Sequence, residues 1–361
     1  MAISKLAEIV ERGLELSDVE SCATYNFTSE DDLVRATKEL SNLYVHRRQD
    51  LANNQLDARL ASAYLYLYLT TNVPKLFKLL PYLPKELITR ISKTSWIDFG
   101  SGPATYTLAW YAWLQSQGMS LPKEGLLVEK DPSMMTLANN VLDKFLHHEH
   151  ILVTSTIAQK KIEGATLFFG HSCNELSLDN LLSVIEEVQP QFLLFLEPGT
   201  PEVFKKILDV RTHILARGYG VHFPCLQHQS CPMKKEDNWC HQYLHLRFPS
   251  SVERLTQMVS LKRQHSAVIF HVYERVSSKV SVDVLGKRFR IVRGPEQNKG
   301  SWTWQVCNAS GELLWFESLT RQYSKDRLKE LELKVPGEIL AEVQIQKELK
   351  PHTYRVLIGE L

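Results

Sequence analysis

The sequence predicts an α/β fold on three observations. From Ser95 onward short apolar segments alternate with helical stretches, the first segment runs into a glycine-bearing turn, and the second ends on an acid. The segments are Trp96–Phe99, Gly125–Val128, Thr166–Phe169, Phe192–Leu196 and Val221–Phe223. Alternation of this kind predicts a doubly wound, Rossmann-like sheet over residues 91–278. Residues 1–90 read differently. Leu and Ala recur at helical spacing through 31–43 and 51–69, and no glycine occurs between Gly13 and Gly100. A helical N-terminal domain is expected there. Residues 224–247, full of Cys, His, Pro and charge, interrupt the strand–helix rhythm and read as an insertion. From 279 to 361 the chain turns β-rich, with 301–307 and 312–319 joined as a hairpin through Asn308-Ala309-Ser310-Gly311, so a small C-terminal β domain is expected.

At 361 residues and 44% hydrophobic content the chain has material for two or three domains with a sizeable core. Its 42 basic and 41 acidic residues leave a net charge of +1, which argues against a nucleic-acid binder that works by bulk charge; any RNA contact must use local patches. The stretch Met1–Arg12 has neither the apolar core of a secretory signal nor the bias of a transit peptide, which predicts a cytoplasmic protein. The most apolar run, 60–71, is about half the roughly 20 residues that cross a bilayer, so no membrane segment is expected. Six cysteines without secretory context point to a reducing compartment, where clustered thiols serve as ligands more often than as disulfides.

The turn after the first strand reads Asp98-Phe99-Gly100-Ser101-Gly102-Pro103-Ala104. Glycines at a strand-to-helix junction let the backbone approach a nucleotide-like cofactor. The next strand ends Val128-Glu129-Lys130-Asp131, where a carboxylate is placed to accept ribose hydroxyls, and Asp131-Pro132 suits a helix start. Two glycines, a preceding Asp and a ribose-binding acid suit S-adenosylmethionine better than NAD, whose pyrophosphate wants the full three-glycine turn; Ala104 stands at the third position. The bland alternative is a tight turn followed by a solvated strand end. Candidate cofactor residues are Asp98, Gly100, Ser101, Gly102, Pro103, Glu129 and Lys130, with Ser172 and Asn174 from the loop after the third segment. That loop and Glu197-Pro198-Gly199-Thr200-Pro201 are expected to line the same crevice.

Cys225, Cys231 and Cys240 crowd one short stretch beside Pro224, His228, Pro232, Trp239 and His241, where thiols have little apolar core to join. A metal is expected, with Cys307 as fourth ligand reaching in from the C-terminal domain and joining the two domains. His228 or His241 could replace it in a Cys₃His zinc site. Because Cys225 follows a strand end, the cluster is expected on the cofactor side of the sheet. The residues alone leave zinc and an iron–sulfur cluster open, and buried thiols or a nucleophilic Cys225 remain as alternatives. Cys22 and Cys173 read as packing residues. Lys279, Lys287, Arg288, Arg290 and Arg293, with Phe289 among them, are a candidate RNA-binding stretch, and equally a solvated face. Lys205, Lys206, Arg211, Lys262 and Arg263 are weaker candidates. No catalytic residue is identified.

The Asp98–Pro103 turn, Glu197–Pro201, Pro224-Cys225, Cys231-Pro232, Trp239-Cys240-His241 and Val306–Gly311 together resemble the methyltransferase-like small-subunit ribosome assembly family, known from mitochondria and with bacterial members. The resemblance runs from about Tyr44 to about Lys325. It implies a class I S-adenosylmethionine methyltransferase fold, association with the small ribosomal subunit or its rRNA, and a [4Fe-4S] cluster on Cys225, Cys231, Cys240 and Cys307. A protein that is monomeric when free is expected. Two other readings stay open: a non-catalytic iron–sulfur assembly factor that binds rRNA, and a zinc-stabilised methyltransferase acting on a protein or small molecule.

Overall fold

A computed structural model describes the chain except residues 1–2, 47–54, 147–149, 158–161, 163, 227–229, 237, 277–287 and 360–361. It divides into two compact units, residues 1–196 with 244–266, and residues 197–243 with 267–361.

The first unit opens with helices α1 (Ile3–Arg12), α2 (Leu16–Glu20), α3 (Glu30–His46) and α4 (Ala58–Tyr64). A π-helical turn, Leu65–Leu69, joins α4 to α5 (Thr70–Leu79), and α6 (Lys85–Ser92) follows. The π turn has local causes. Pro74 has no N–H to return to the preceding turn, and the hydroxyls of Thr70 and Thr71 donate back to the carbonyls of Tyr66 and Leu67 at 2.7 and 2.6 Å.

Strands β1 (Trp96–Phe99), β2 (Gly125–Val128), β3 (Ile151–Thr154), β4 (Thr166–Gly170) and β5 (Phe192–Pro198) pair in parallel in the order β3-β2-β1-β4-β5. The order reverses between β1 and β4, and ligands of open α/β sheets bind outside the carboxyl ends of strands at such a point. Helices α7 (Thr105–Ser116), α8 (Pro132–Phe145) and α9 (Leu178–Val188) connect these strands.

Helix α7 is buried from Thr105 to Leu114. Trp110 stacks on Trp96 of β1 with ring centroids 5.3 Å apart, and Phe168 of β4 stacks on the same indole at 5.1 Å. Helices α1 and α5 pack on α7, and α4 packs on α8. The apolar α7 takes the N-terminal helices as its cover, and residues 1–196 fall in one compact unit. Residues 244–266, with helix α11 (Ser250–Met258), also belong to this unit. A Cβ on Gly13 would meet the Pro249 ring at 2.7 Å, the Leu16 N–H donates to Ser251 Oγ at 3.4 Å, Ser251 donates to Glu15, and Arg254 pairs with Glu30 at 2.6 Å.

The second unit takes helix α10 (Pro201–Ala216), β6 (Tyr219–Phe223) paired antiparallel with the end of β8 (His265–Arg275), and the short strand β7 (Gln242–His245), which starts in this unit. A six-stranded sheet follows: β9 (Phe289–Asn298), β10 (Ser301–Cys307), β11 (Leu313–Leu319), β12 (Ile339–Leu340), β13 (Val343–Lys350) and β14 (Thr353–Ile358), in the order β12-β9-β10-β11-β14-β13. The β10–β11 hairpin turns through Asn308–Gly311 as expected. Trp304, Phe316, Ile291 and Val356, with Leu331 from helix α12 (Lys325–Glu332), form the core of this sheet. Residues 197–243 cluster with the C-terminal strands. Among the described residues no helix is long and apolar enough to cross a membrane.

Trp110→Ala is expected to lower the unfolding free energy by about 3–5 kcal/mol in urea titration, since its indole is fully buried against Trp96. A loss below about 1 kcal/mol would show that this stack is not what joins α7 to the sheet.

Candidate functional site

The first candidate site lies at the carboxyl ends of β1, β2 and β4, and its residues all belong to the first unit. The turn after β1 is left-handed at Gly100, Gly102 and Ala104, with φ of 70°, 53° and 63°. Ala104 thus holds a conformation that glycine adopts without strain, at the N-cap of α7. The turn is anchored where the Gly100 and Ser101 N–H groups donate to the Val128 carbonyl at 2.8 and 3.2 Å. A Cβ on Gly100 would meet Ser172 Cβ at 2.5 Å, so the turn closes tightly on the end of β4. Over Gly102 there is room: a Cβ would find only the Tyr64 phenol, at 3.8 Å.

Glu129 reaches across this turn. One carboxylate oxygen accepts from the Gly102 N–H at 2.8 Å and the other from the Asp131 N–H at 2.9 Å. Burial raises its pKa, and those N–H groups oppose the rise. Each oxygen keeps a further lone pair for a hydroxyl. Asp131 caps α8 by accepting from Ser133 and Met134 and also takes the Leu56 N–H at 2.8 Å, which ties the start of α4 to the site. Asp98 is fully buried. Its Oδ2 accepts from Thr107 Oγ1 at 2.7 Å, and its Oδ1 has no partner. Burial raises its pKa to about 7 against the Thr107 hydrogen bond.

Ser101, Pro103 and Ser172 are buried at the turn, Asn174 is half-buried in the short helical turn Cys173–Glu175, and Lys130 is exposed. Glu197 is fully buried, and Thr200 caps α10 by accepting the Val203 N–H. Sequence reasoning missed Thr107, which orients Asp98, and Tyr64 over Gly102. Thr107 carried a signal, lying one turn inside the helix that follows the glycines. Tyr64 carried none.

The second candidate site lies within the second unit. Cys225, Cys231, Cys240 and Cys307 line one cavity of about 20 Å³, above the roughly 10–15 Å³ that one water needs, together with His271 and Arg290. Cys307 and the other three cysteines belong to the same unit, so the expected link between two domains is replaced by a site inside one. No disulfide joins them. Among the described residues no group of three or more His, Cys, Asp or Glu stands ready to hold a metal ion. Burial raises the pKa of Cys225 and Cys307 and pushes Cys231 up to about 12, with Arg211 or Arg290 opposing.

Arg211 and Arg290 are 2% and 3% exposed. Arg290 donates from Nε to Cys240 Sγ at 3.4 Å and from Nη1 to the Gly337 carbonyl at 2.8 Å. This corrects the reading of Arg290 as an RNA contact. Its partner in that reading, Phe289, is also buried, in the core of the six-stranded sheet, because β9 is covered on both faces there. Arg293 pairs with Glu296 at 2.7 Å, Arg288 is exposed, and Lys279 and Lys287 lie outside the described residues. His228 lies outside them too. His241 lines a cleft with Arg293, Gln305 and Trp315.

A family model described as mitochondrial small ribosomal subunit Rsm22 matches residues 62–322. The chain belongs to the Rsm22 family. No curated protein matches it in sequence. Among solved structures, this Rsm22 family member is similar to magnesium protoporphyrin IX methyltransferase from Synechocystis with bound S-adenosylhomocysteine, at 10% identity and TM-score 0.36 over 65% of this chain and 95% of that one. It is similar to the precorrin-6y C5,15-methyltransferase of Geobacter metallireducens, at 11% identity and TM-score 0.34 over 52% and 85%. It is also similar to M. capricolum TrmK in complex with S-adenosylhomocysteine, at 8% identity and TM-score 0.33 over 55% and 71%. These likenesses are slight, and the α/β assignment rests on the strand order above.

The Asp98 shift gives a pH dependence. Its folded pKa, about 7, lies above the ordinary aspartate value of 3.8, so the folded state binds the extra proton between those values. Stability is expected to be highest below about pH 4 as far as this group is concerned, and to fall by up to about 4 kcal/mol as pH rises to about 7. Urea unfolding across that range should show this fall in the parent protein and its loss in Asp98→Asn, which keeps an acceptor for Thr107.

Proposed function

We propose that the chain binds S-adenosylmethionine at the carboxyl ends of β1, β2 and β4 and acts as a methyltransferase on the rRNA of the small ribosomal subunit. The observation that carries this reading is the Glu129 carboxylate, held by the Gly102 and Asp131 N–H groups beside a turn where a Cβ on Gly102 would meet only the Tyr64 phenol, at ordinary contact distance. The unpartnered Asp98 Oδ1 adds a buried acceptor that a ligand cation or hydroxyl would satisfy. The group, when bound, supplies an electrophilic methyl on a sulfonium. Glu129 would accept the ribose hydroxyls through its remaining lone pairs, and Asp98 with Ser101, Pro103, Ser172 and Asn174 would shape the rest of the pocket. Methyl transfer asks mainly for alignment and exclusion of water, so the chain needs no dedicated base beyond this cradle.

Within the same reading Cys225, Cys231, Cys240 and Cys307 hold a [4Fe-4S] cluster. Four thiols line one cavity together with the buried Arg290 guanidinium, and four thiolates around a doubly charged metal core would carry a net charge of about −2, which would offset that cation. A zinc ion on the same thiolates would balance it equally, so the metal is decided by spectroscopy. The family's printed description supports the small ribosomal subunit as partner. A second reading, assembly of that subunit without methyl transfer, is favoured by the cysteine site's place in a unit other than that of the cofactor turn.

Two outcomes are expected. Glu129→Ala should weaken S-adenosylhomocysteine binding in calorimetry by about 10- to 100-fold, the worth of charge-assisted hydrogen bonds. In cells, Gly100→Arg should erase one methylation from the small-subunit rRNA map; an unchanged map beside defective subunits would leave assembly alone. Protein purified without oxygen should be coloured and contain iron, and Cys231→Ser should lose both. A colourless protein with one zinc would rule out the cluster.

A further inference from the structure

We propose that Tyr44, Tyr64, Tyr68 and Arg263 form a stacking site for an unpaired nucleotide of single-stranded RNA, beside the cofactor turn. The three rings come from α3, from the end of α4 and from the π turn after it. Their centroids are 6.0 Å apart for Tyr44 and Tyr64, 5.3 Å for Tyr44 and Tyr68, and 5.0 Å for Tyr64 and Tyr68. The Arg263 guanidinium, on the loop after α11, lies 4.7 Å from the Tyr68 centroid. All four residues belong to the first unit, and Tyr64 is the side chain nearest the open space over Gly102.

Packing alone does not account for this group. A tyrosine used as core bonds its hydroxyl. Tyr44 and Tyr64 are half-buried, and among the described residues neither hydroxyl has a hydrogen-bond partner. Burial, the neighbouring phenols and the carboxylates of Glu175 and Glu129 push the Tyr44 hydroxyl's pKa up, so it stays a neutral donor. The cation is equally unused: among the described residues no carboxylate pairs with Arg263, which lies on the Tyr68 ring. Burial and Arg263 lower the pKa of the nearby Lys75 amine.

Three aromatic rings could instead cage a cation. Arg263 already lies on the Tyr68 ring as a cation, which disfavours a second cation on that face and leaves its guanidinium for an anionic group. A flat base for the tyrosines with a phosphate for Arg263 satisfies both halves, as in single-strand RNA recognition. This placement rests on the methyltransferase reading only in calling the neighbouring turn a cofactor site.

The test uses the full chain, an unstructured RNA of about twelve nucleotides read by fluorescence anisotropy, and S-adenosylhomocysteine read by calorimetry. Tyr44→Ala and Arg263→Ala are expected to lower RNA affinity about 5- to 100-fold each. Tyr44→Phe should keep it within about twofold, since the ring does the stacking. S-adenosylhomocysteine affinity should hold in all three. Arg263 lies on a loop, so Arg263→Ala decides the matter should Tyr44→Ala fail to fold. Unchanged RNA affinity in Arg263→Ala would overturn the proposal. So would absence of RNA binding by the parent protein, or loss of S-adenosylhomocysteine with RNA affinity intact, which would make the rings a wall of the cofactor pocket. A parent protein that binds RNA through these residues but no S-adenosylhomocysteine would sustain the stacking site and overturn the cofactor reading instead.

Discussion

Helix α7 has almost no polar face, and the first unit is arranged around that fact. A helix buried from Thr105 to Leu114 must be covered on every side. Its Trp110 meets Trp96 on the sheet, and α1 and α5 supply the remaining cover. Because α5 is thereby fixed, so is the π turn before it, and Tyr64 is held over Gly102. The cofactor turn, the N-terminal helices and the tyrosine group are thus consequences of a single packing requirement.

Charge is handled differently in the two units. In the first, the buried acid Asp98 is accommodated by Thr107 and by a shift toward its neutral form. In the second, the buried Arg290 guanidinium is held by the Cys240 sulfur and the Gly337 carbonyl.

Strands β1 and β2 were legible to the residue because each is a short apolar run ended by a turn or an acid. Strand β3 was not read, although Ile151–Val153 is apolar, because the run is only three residues long before Thr154-Ser155-Thr156 and is partly exposed. The gathering of the four cysteines was readable from their unusual company of prolines and polar residues. Arg290 was not, because an arginine between Phe289 and Ile291 in a basic stretch reads as a surface cation; only the pairing of β9 with β10 and β12 reveals that its position is covered. Tyr64-Leu65-Tyr66-Leu67-Tyr68 reads as helical core, and nothing in such a run announces the π turn that brings Tyr64 and Tyr68 to Tyr44.

The contacts of Gly13, Leu16 and Glu30 with Pro249, Ser251 and Arg254 bear on how the protein is made. The N-terminal helices leave the ribosome early, yet part of their docking surface is more than two hundred residues downstream. At about 5–20 residues per second, that delay is on the order of ten to fifty seconds. During it, the apolar faces around α7 have the sheet and one another but not residues 249–254. Synthesis of the first unit therefore cannot be completed vectorially, domain after domain. The chain must make most of the second unit's cysteine segment before the first is closed, so thiols and unfinished helices are exposed together.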